Sequence, residues 1–428
     1  MKRCVDVMII GAGSRGMYTF GELCKREDVH IKVVAVAEPN KEKRDKMMKE
    51  HEISPEFCFK SGEIALSSDR FCDAIINATP DRSHHKLTIM AIKKGYNILL
   101  EKPISSSPQE CIEIVETQKK YGGVLSLAHV LRYSPFFQEM KKIIDSKRLG
   151  KMLSVDLLEE VGYWHFAHSY IRGNWRKKDE SGPIILTKSC HDLDILTFLV
   201  GSDVSSIVSS GSLSYFKREN SPKGSTRRCV ENCKIKKNCP YNSERFYLME
   251  KDSSKIDWPT TVLSPIDKSI SARKRALKNG PYGKCVFRCD NDVCDNQVTQ
   301  IKFKNGVSAT FKLIAFGQES TRKIKIYLEK GEINGDLSKG SIRVVEYKGL
   351  RYNNSLKQEH ISYGGGHGGG DEFLLKNFVR TILKGDEKSN LSNVQDSLQS
   401  HLMAFAAEES RLKKKVLNFQ KWKKKLKY

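Results

Sequence analysis

The chain is predicted to fold as an α/β domain followed by an α+β domain with an open, largely antiparallel sheet. Three observations predict this. Up to about residue 132, short apolar runs alternate with amphipathic stretches. A glycine-rich corner follows the first apolar run directly. From about Phe136 the pattern changes to strand-like alternation, with far fewer helical segments between strands.

The first run, Val5 to Ile10, reads as a buried parallel strand. It enters Gly11-x-Gly13-x-x-Gly16, which has the form of a dinucleotide-binding turn. Gly11 permits the tight turn, Gly13 lets a pyrophosphate approach the backbone, and Gly16 lets helix and strand pack closely. The N–H groups at the helix start, around Ser14 and Arg15, then face phosphate. A second strand, Ile31 to Ala37, ends in Glu38, an acid placed to bond both ribose hydroxyls of NAD. Glu38 would repel the 2′-phosphate of NADP, so NAD is the expected cofactor; Arg15 is a cation that would soften this preference.

The remaining elements follow in order. Lys41 to Glu50 is a charged helix. Cys72 to Ala78 is a third strand, stopped by Thr79-Pro80 because proline has no N–H for a sheet ladder. His84 and His85 open the next helix, closed by Gly95. Tyr96 to Leu100 is a fourth strand and delivers Glu101-Lys102-Pro103 to the ligand edge of the sheet. Cys111 to Tyr121 is a helix and Val124 to Ala128 a strand, ending in His129-x-x-Arg132-Tyr133-x-Pro135. Beyond it come a helix at 137–146, strands at 152–161, 204–215, 296–303, 306–316, 322–329 and 331–337, and a helix from His191 to Gly201. Two helices, 371–383 and 394–417, finish the chain. Residues 217–284 are polar, irregular and too long for an ordinary loop.

Taken together, Gly11-x-Gly13-x-x-Gly16, Thr79-Pro80-x-x-x-His84, Glu101-Lys102-Pro103, His129-x-x-Arg132-Tyr133-x-Pro135 and His191 with Asp194 resemble the glucose–fructose oxidoreductase/inositol dehydrogenase family, Gfo/Idh/MocA. The match in order and spacing runs over about the first 200 residues. The resemblance implies a Rossmann domain at 1–132, a substrate and oligomerisation domain with an open sheet at 133–370, and C-terminal helices at 371–428 packing back on the body. It implies NAD-linked oxidation or reduction of a sugar or polyol hydroxyl, a homodimer or homotetramer, and a Lys-Pro corner that is often cis. Gly11, Gly13, Ser14, Arg15, Gly16, Glu38, Thr79, Pro80, His84, Glu101, Lys102 and Pro103 are the expected cofactor residues.

Hydride transfer from a carbinol needs a base for the hydroxyl proton and a cation to orient the oxygen. Lys102 and His191 are the expected catalytic pair. Many relatives carry an aspartate four residues before this histidine; here that position is Thr187, followed by Lys188. A second cation would lower the pKa of either lysine and favour an anionic group. Asp194 lies one turn from His191 and is expected to orient the imidazole or touch substrate. The aromatic stretch 162–176 interleaves rings with polar groups, as sugar sites do. Arg132, Tyr133, Trp164, His165, His168, Arg172, Trp175, Lys188 and Asp194 are therefore the expected substrate residues. In the glycine-rich stretch 364–370, His367 is placed to reach the pocket, or the stretch is a joint capped by Asp371.

Twelve cysteines are present. Cys4, Cys24, Cys58, Cys72, Cys111 and Cys190 are scattered and read as small buried hydrophobes. The other six cluster at about 217–295. Cys229, Cys233, Cys239 and either Cys285 or Cys289 are expected to hold one structural zinc that staples this insertion; independent thiols and an iron–sulfur cluster are the alternatives.

A net charge of +23 raises nucleic-acid binding, but no such motif accompanies it, and the basic end (Lys413 to Lys427) reads as a solvated surface. No run of about 20 apolar residues exists, and the N-terminal apolar stretch belongs to the glycine turn, so a cytoplasmic, non-membrane protein is expected. An NAD-dependent oxidoreductase is the leading function. An NAD-dependent glycoside hydrolase using transient oxidation shares the same motifs. A redox-silent NAD-binding regulator would need Lys102 or His191 to be lost, and both are present.

Overall fold

The computed structural model describes residues 3–349, 355–361 and 367–427. Gly364 to Gly366 of the glycine-rich stretch lie outside them. Six strands form the first sheet: β1 (Val5–Ile10), β2 (Ile31–Ala37), β3 (Cys58–Phe59), β4 (Ala74–Asn77), β5 (Asn97–Leu100) and β6 (Leu125–Leu127). Their order is β3-β2-β1-β4-β5-β6, and every pairing is parallel. The strands are short and almost wholly apolar because helices cover both faces. Strand order reverses between β1 and β4, so a crevice opens at their carboxyl ends.

The second sheet contains β7 (Met152–Gly162), β8 (Val204–Ser212), β9 (Asn296–Phe303), β10 (Ser308–Gly317), β11 (Thr321–Leu328), β12 (Gly331–Asp336), β13 (Ser341–Glu346), β14 (Ser355–His360) and β15 (Leu417–Asn418). The order is β14-β13-β12-β11-β7-β10-β9-β8-β15. Only β7 and β10 pair in parallel; the other ladders are antiparallel. Burial alternates along β10, so one face packs on the core and the other is open. Helices Cys190–Val200 and Val394–Lys413 supply Leu193, Leu196, Met403 and Ala407 to the buried face.

β13 and β14 extend the sheet beyond the strands expected from sequence. The long helix from Val394 stops at Lys413 rather than Leu417, because Lys414 turns left-handed (φ 51°). The chain then adds β15 to the sheet edge and buries Phe419 and Trp422, so the basic tail is a two-faced element, with Lys421, Lys424 and Lys425 exposed. Helix Gly370–Lys384 packs Leu374, Leu375 and Phe378 against Val5, Val7 and Ile9, closing one face of the first sheet. Gly369 caps that helix and Asp371 sits in its first turn, which corrects the expected cap. Among the scattered cysteines, Cys4 is exposed and Cys58 half-buried; the other four are buried.

Candidate active site

The glycine turn is built as its chemistry requires. Gly11 has φ +92°, and a Cβ there would stand 2.7 Å from the Ala78 carbonyl oxygen at the end of β4. A Cβ on Gly16 would collide with the Gly11 carbonyl oxygen. A Cβ on Gly13 would meet nothing within 4 Å, so the turn is open on the side where a pyrophosphate would lie. The helix beginning at Ser14 has no side-chain cap. Glu38 is buried at the end of β2; its carboxylate accepts from the Ala12 N–H at 2.8 Å and the Asn40 N–H at 3.0 Å. Those two bonds fix the acid beside the turn. These residues fit a dinucleotide.

Arg15 has a different place from the one expected. Its guanidinium donates to Glu101 and, at 2.6 Å, to Asp371, so it is committed to two carboxylates instead of a 2′-phosphate. His84 bridges the two other ligand-edge motifs, with Nδ1 2.6 Å from the Pro103 carbonyl oxygen and Nε2 2.9 Å from that of Thr79. The Lys102–Pro103 bond is cis.

Lys102 Nζ donates to the Thr187 carbonyl oxygen at 2.7 Å and lies 5.9 Å from the Trp175 ring centre. Thus position 187 serves Lys102 through its backbone. His191, on helix Cys190–Val200, is buried, and its Nδ1 has no hydrogen-bond partner. Burial first, and then the Lys102 charge, holds its pKa well below 6.5. The site therefore contains a neutral imidazole and an ammonium within electrostatic reach of each other. His129 and His367 flank the imidazole, with ring centres 5.8 and 5.9 Å away.

Asp81, which no sequence motif marks, sits one residue past the Thr79-Pro80 strand end. It accepts from Trp175 Nε1 at 3.0 Å; burial raises its pKa, while His84 and Lys102 oppose the rise. Lys188 lies 3.5 Å from Glu159 in a buried group with Arg322 and Asp192. Burial brings the Lys188 pKa down to about 8, with Glu159 opposing, and lifts Asp192 to about 7. Arg322 arrives from β11, far along the chain, and no sequence motif marks it.

The aromatic stretch folds as a helical turn, Tyr163–Phe166, and a π-helix, Ala167–Arg172. Trp164 and His165 stack, and Trp258 of the insertion stands edge-on to both, 5.8 and 4.9 Å between centres. His165 Nδ1 is 3.0 Å from Ser320 Oγ. Tyr170 links His165 to Trp175, with ring centres 6.3 and 6.1 Å away, so these rings form one aromatic wall, of which Trp175 is the member beside Lys102. Four expected substrate residues are engaged elsewhere. Arg132 donates two bonds of 2.7 Å to Asp194, whose carboxylate also lies 2.8 Å from His129 Nδ1. Asp194 therefore holds Arg132 rather than the His191 ring. The Tyr133 hydroxyl bonds Asn377 and Ser392 in the interior. Arg172 donates to the carbonyl oxygens of Lys284 and Tyr241 inside the insertion. A fifth, His168, bonds Tyr247 and stacks on Tyr282.

His129, Cys190 and His401 come close enough to suggest a metal group. His401, however, accepts the Ile104 N–H on Nε2 and lies 2.9 Å from the Ser397 carbonyl oxygen on Nδ1, so its ring is already satisfied.

Comparison with known proteins agrees with this geometry. Residues 5–129 match the model of the oxidoreductase family, NAD-binding Rossmann fold, and residues 141–419 that of its C-terminal alpha/beta domain. The chain belongs to the Gfo/Idh/MocA oxidoreductase family. It is similar to YteT of Bacillus subtilis, an oxidoreductase by name, with 25% identity over 71% of each chain. It is similar to scyllo-inositol 2-dehydrogenase (NAD(+)) of the same organism, with 26% identity over 49% of this chain and 58% of that one. Among solved structures it shares the fold of levoglucosan dehydrogenase in complex with NADH and levoglucosan, at a TM-score of 0.69, 16% identity and 97% and 100% coverage. Several relatives align over only 40–58% of their own length. The family is one of oxidoreductases with an NAD-binding Rossmann fold.

Proposed function

We propose that the protein oxidises, or forms by reduction, a secondary hydroxyl of a sugar, polyol or sugar derivative, using NAD. One observation carries this reading: a buried His191 within electrostatic reach of Lys102, at the carboxyl edge of a sheet whose glycine turn and Glu38 fit a dinucleotide. The Gly11, Gly13, Ser14, Gly16 and Thr79 backbone and the Glu38 carboxylate would hold the cofactor, which supplies the hydride acceptor when bound. Lys102 hydrogen-bonds the reacting oxygen and favours its negative character. His191 takes the hydroxyl proton, because its burial keeps it unprotonated and ready. Trp164, His165, Trp175 and Trp258 offer ring faces to the sugar C–H bonds. Lys188 adds positive charge near Lys102 and suits a substrate carrying an anionic group.

The dehydrogenase names of relatives support the carbohydrate class. The open face of the second sheet supports a homodimer or homotetramer, which size-exclusion chromatography with light scattering would measure. No helix among the described residues is long and apolar enough to cross a membrane. We place the protein in the cytoplasm and expect no nucleic-acid partner, since Trp422 of the basic tail is tied to Glu409.

The test is a screen of sugars, polyols, sugar acids and aryl glycosides with NAD, recording NADH and released aglycone together. NADH equal to substrate consumed supports the dehydrogenase. Aglycone release with no net NADH would instead mark an NAD-dependent glycoside hydrolase. Neither signal from any carbohydrate would refute the substrate class.

A further inference from the structure

The insertion between β8 and β9 joins the main core through Phe216, Tyr241, Val286 and Phe287. Most of it is turns, with two short helices, Ser243–Leu248 and Ile270–Asn279. Its two arms meet at one antiparallel bridge, Arg228 with Lys284. On either side of that bridge Cys229 N–H bonds the Gly283 carbonyl oxygen at 2.9 Å and Cys285 N–H bonds that of Arg227 at 3.0 Å. The turn from Cys233 to Cys239 is closed by its own backbone bonds, Lys236 N–H to Cys233 and Cys239 N–H to Ile235. The result is that Cys229, Cys233, Cys239 and Cys285 line a single cavity of about 10 Å³, room for one atom-sized occupant. Neither Cys289, whose thiol donates to the Cys285 carbonyl oxygen, nor Cys294 lines that cavity.

We propose that these four thiols bind one zinc ion, which clips the insertion to the body. The proposal stands apart from the redox reading. Four thiolates around one ion make a closed tetrahedral site of the structural kind. Zinc at ~2.3 Å from each sulfur sets the sulfurs ~3.8 Å apart. No three of these thiols lie within 4.8 Å of one another among the described residues, so binding draws the side chains inward across the cavity. The thiol protons leave to solvent as zinc enters. Arg172 and Lys236 line the same cavity, with Arg172 Nη2 3.9 Å from Cys229 Sγ, and they offset the charge of a tetrathiolate.

Through Arg172 the clip reaches the π-helix Ala167–Arg172. Through Tyr247 and Tyr282 it reaches His168. Trp258 belongs to the same insertion. The ion therefore fixes the aromatic wall, and the insertion it clips also meets the helix after the glycine turn, where the Tyr18 hydroxyl donates to the Pro265 carbonyl oxygen.

Elemental analysis of the purified full chain, prepared without chelator, is expected to find about one zinc per chain. A mercurial thiol reagent should release it to a zinc-sensitive dye. Cobalt added to the stripped protein should give the strong visible absorption of a tetrahedral tetrathiolate site. Cys229→Ser with Cys285→Ser should lose the metal and open residues 217–295 to protease. Cys289→Ser should keep the metal, which separates ligand loss from general loss of cysteine. Substoichiometric metal, iron with inorganic sulfide, or retained zinc in the double variant would overturn the site.

Discussion

Asp371 accepts a hydrogen bond from Arg15 at 2.6 Å, across 356 positions of the chain. The same carboxylate lies 2.9 Å from His367 Nδ1, and the His367 ring stands 5.9 Å from that of His191. One buried acid thus joins the glycine turn to the histidine pair. Asp371→Asn removes the charge that Arg15 and His367 share. Because Arg15 is 28% exposed, solvent screens part of the loss, and a cost of about 1–2 kcal/mol is expected. Thermal unfolding should show it as a lower Tm, and fluorescence titration should show weaker NADH binding. If both are unchanged, the acid does not organise the turn.

Lys102 and His191 should separate binding from chemistry. Lys102→Ala and His191→Ala are each expected to lower kcat by about 10²–10⁴-fold. Both variants should still bind NADH, since neither side chain belongs to the glycine turn or to Glu38. Unchanged turnover in either variant removes that residue from the mechanism.

The pH profile follows from the same burial. Because the folded His191 pKa lies well below 6.5, the imidazole stays neutral as pH falls through 6.5. The acid limb of kcat/KM is therefore expected below 6.5, and its appearance above 7 would contradict a buried neutral base. Folding shows the cost of this arrangement. The unfolded chain takes up the proton below 6.5 and the folded chain does not, so stability falls as pH drops below that value. At the other end, Lys188 loses its charge above about 8, and the KM of an anionic substrate should rise there.

The nucleotide half was legible in the sequence because its rules are local. Gly11, Gly13 and Gly16 are dictated by one turn, and Glu38, Lys102 and Pro103 by the strand ends that carry them. The substrate half was not, because its contacts are distant. Arg322 reaches Glu159 across 163 positions, and Trp258 reaches His165 from an insertion built mostly of turns. Residue type also misled. Arg132, Arg172 and Asp194 look like ligand-binding groups, yet each is buried on a partner that the sequence does not reveal.

Glu38 should set cofactor choice. Its carboxylate is fixed by the Ala12 and Asn40 N–H groups, and Arg15 is held away by Glu101 and Asp371. Glu38→Ala removes the repulsion of a 2′-phosphate along with the ribose bonds. The ratio of kcat/KM for NAD over NADP is expected to fall by about tenfold or more, the effect of ~1.4 kcal/mol. An unchanged ratio would show that another group selects the cofactor.

The Arg132–Asp194 pair is a stability device, and removing one member differs from removing both. Asp194 has no exposed surface, and its pKa is held far below the usual carboxylate range by Arg132 and His129 against burial. Arg132→Ala leaves that charge buried beside His129 alone. A loss of about 3–5 kcal/mol is expected by denaturant unfolding at pH 7. The pair's contribution is fully present above the unfolded carboxylate pKa of ~3.9 and is lost as pH falls below it toward the folded value. In the double variant Arg132→Met, Asp194→Leu no charge remains to be stranded, and packing of similar volume replaces it. Much of the stability should then return. Cofactor binding should be retained in the double variant, because neither side chain belongs to the glycine turn or Glu38. If the double variant is as unstable as Arg132→Ala, the pair acts through its shape rather than its charge.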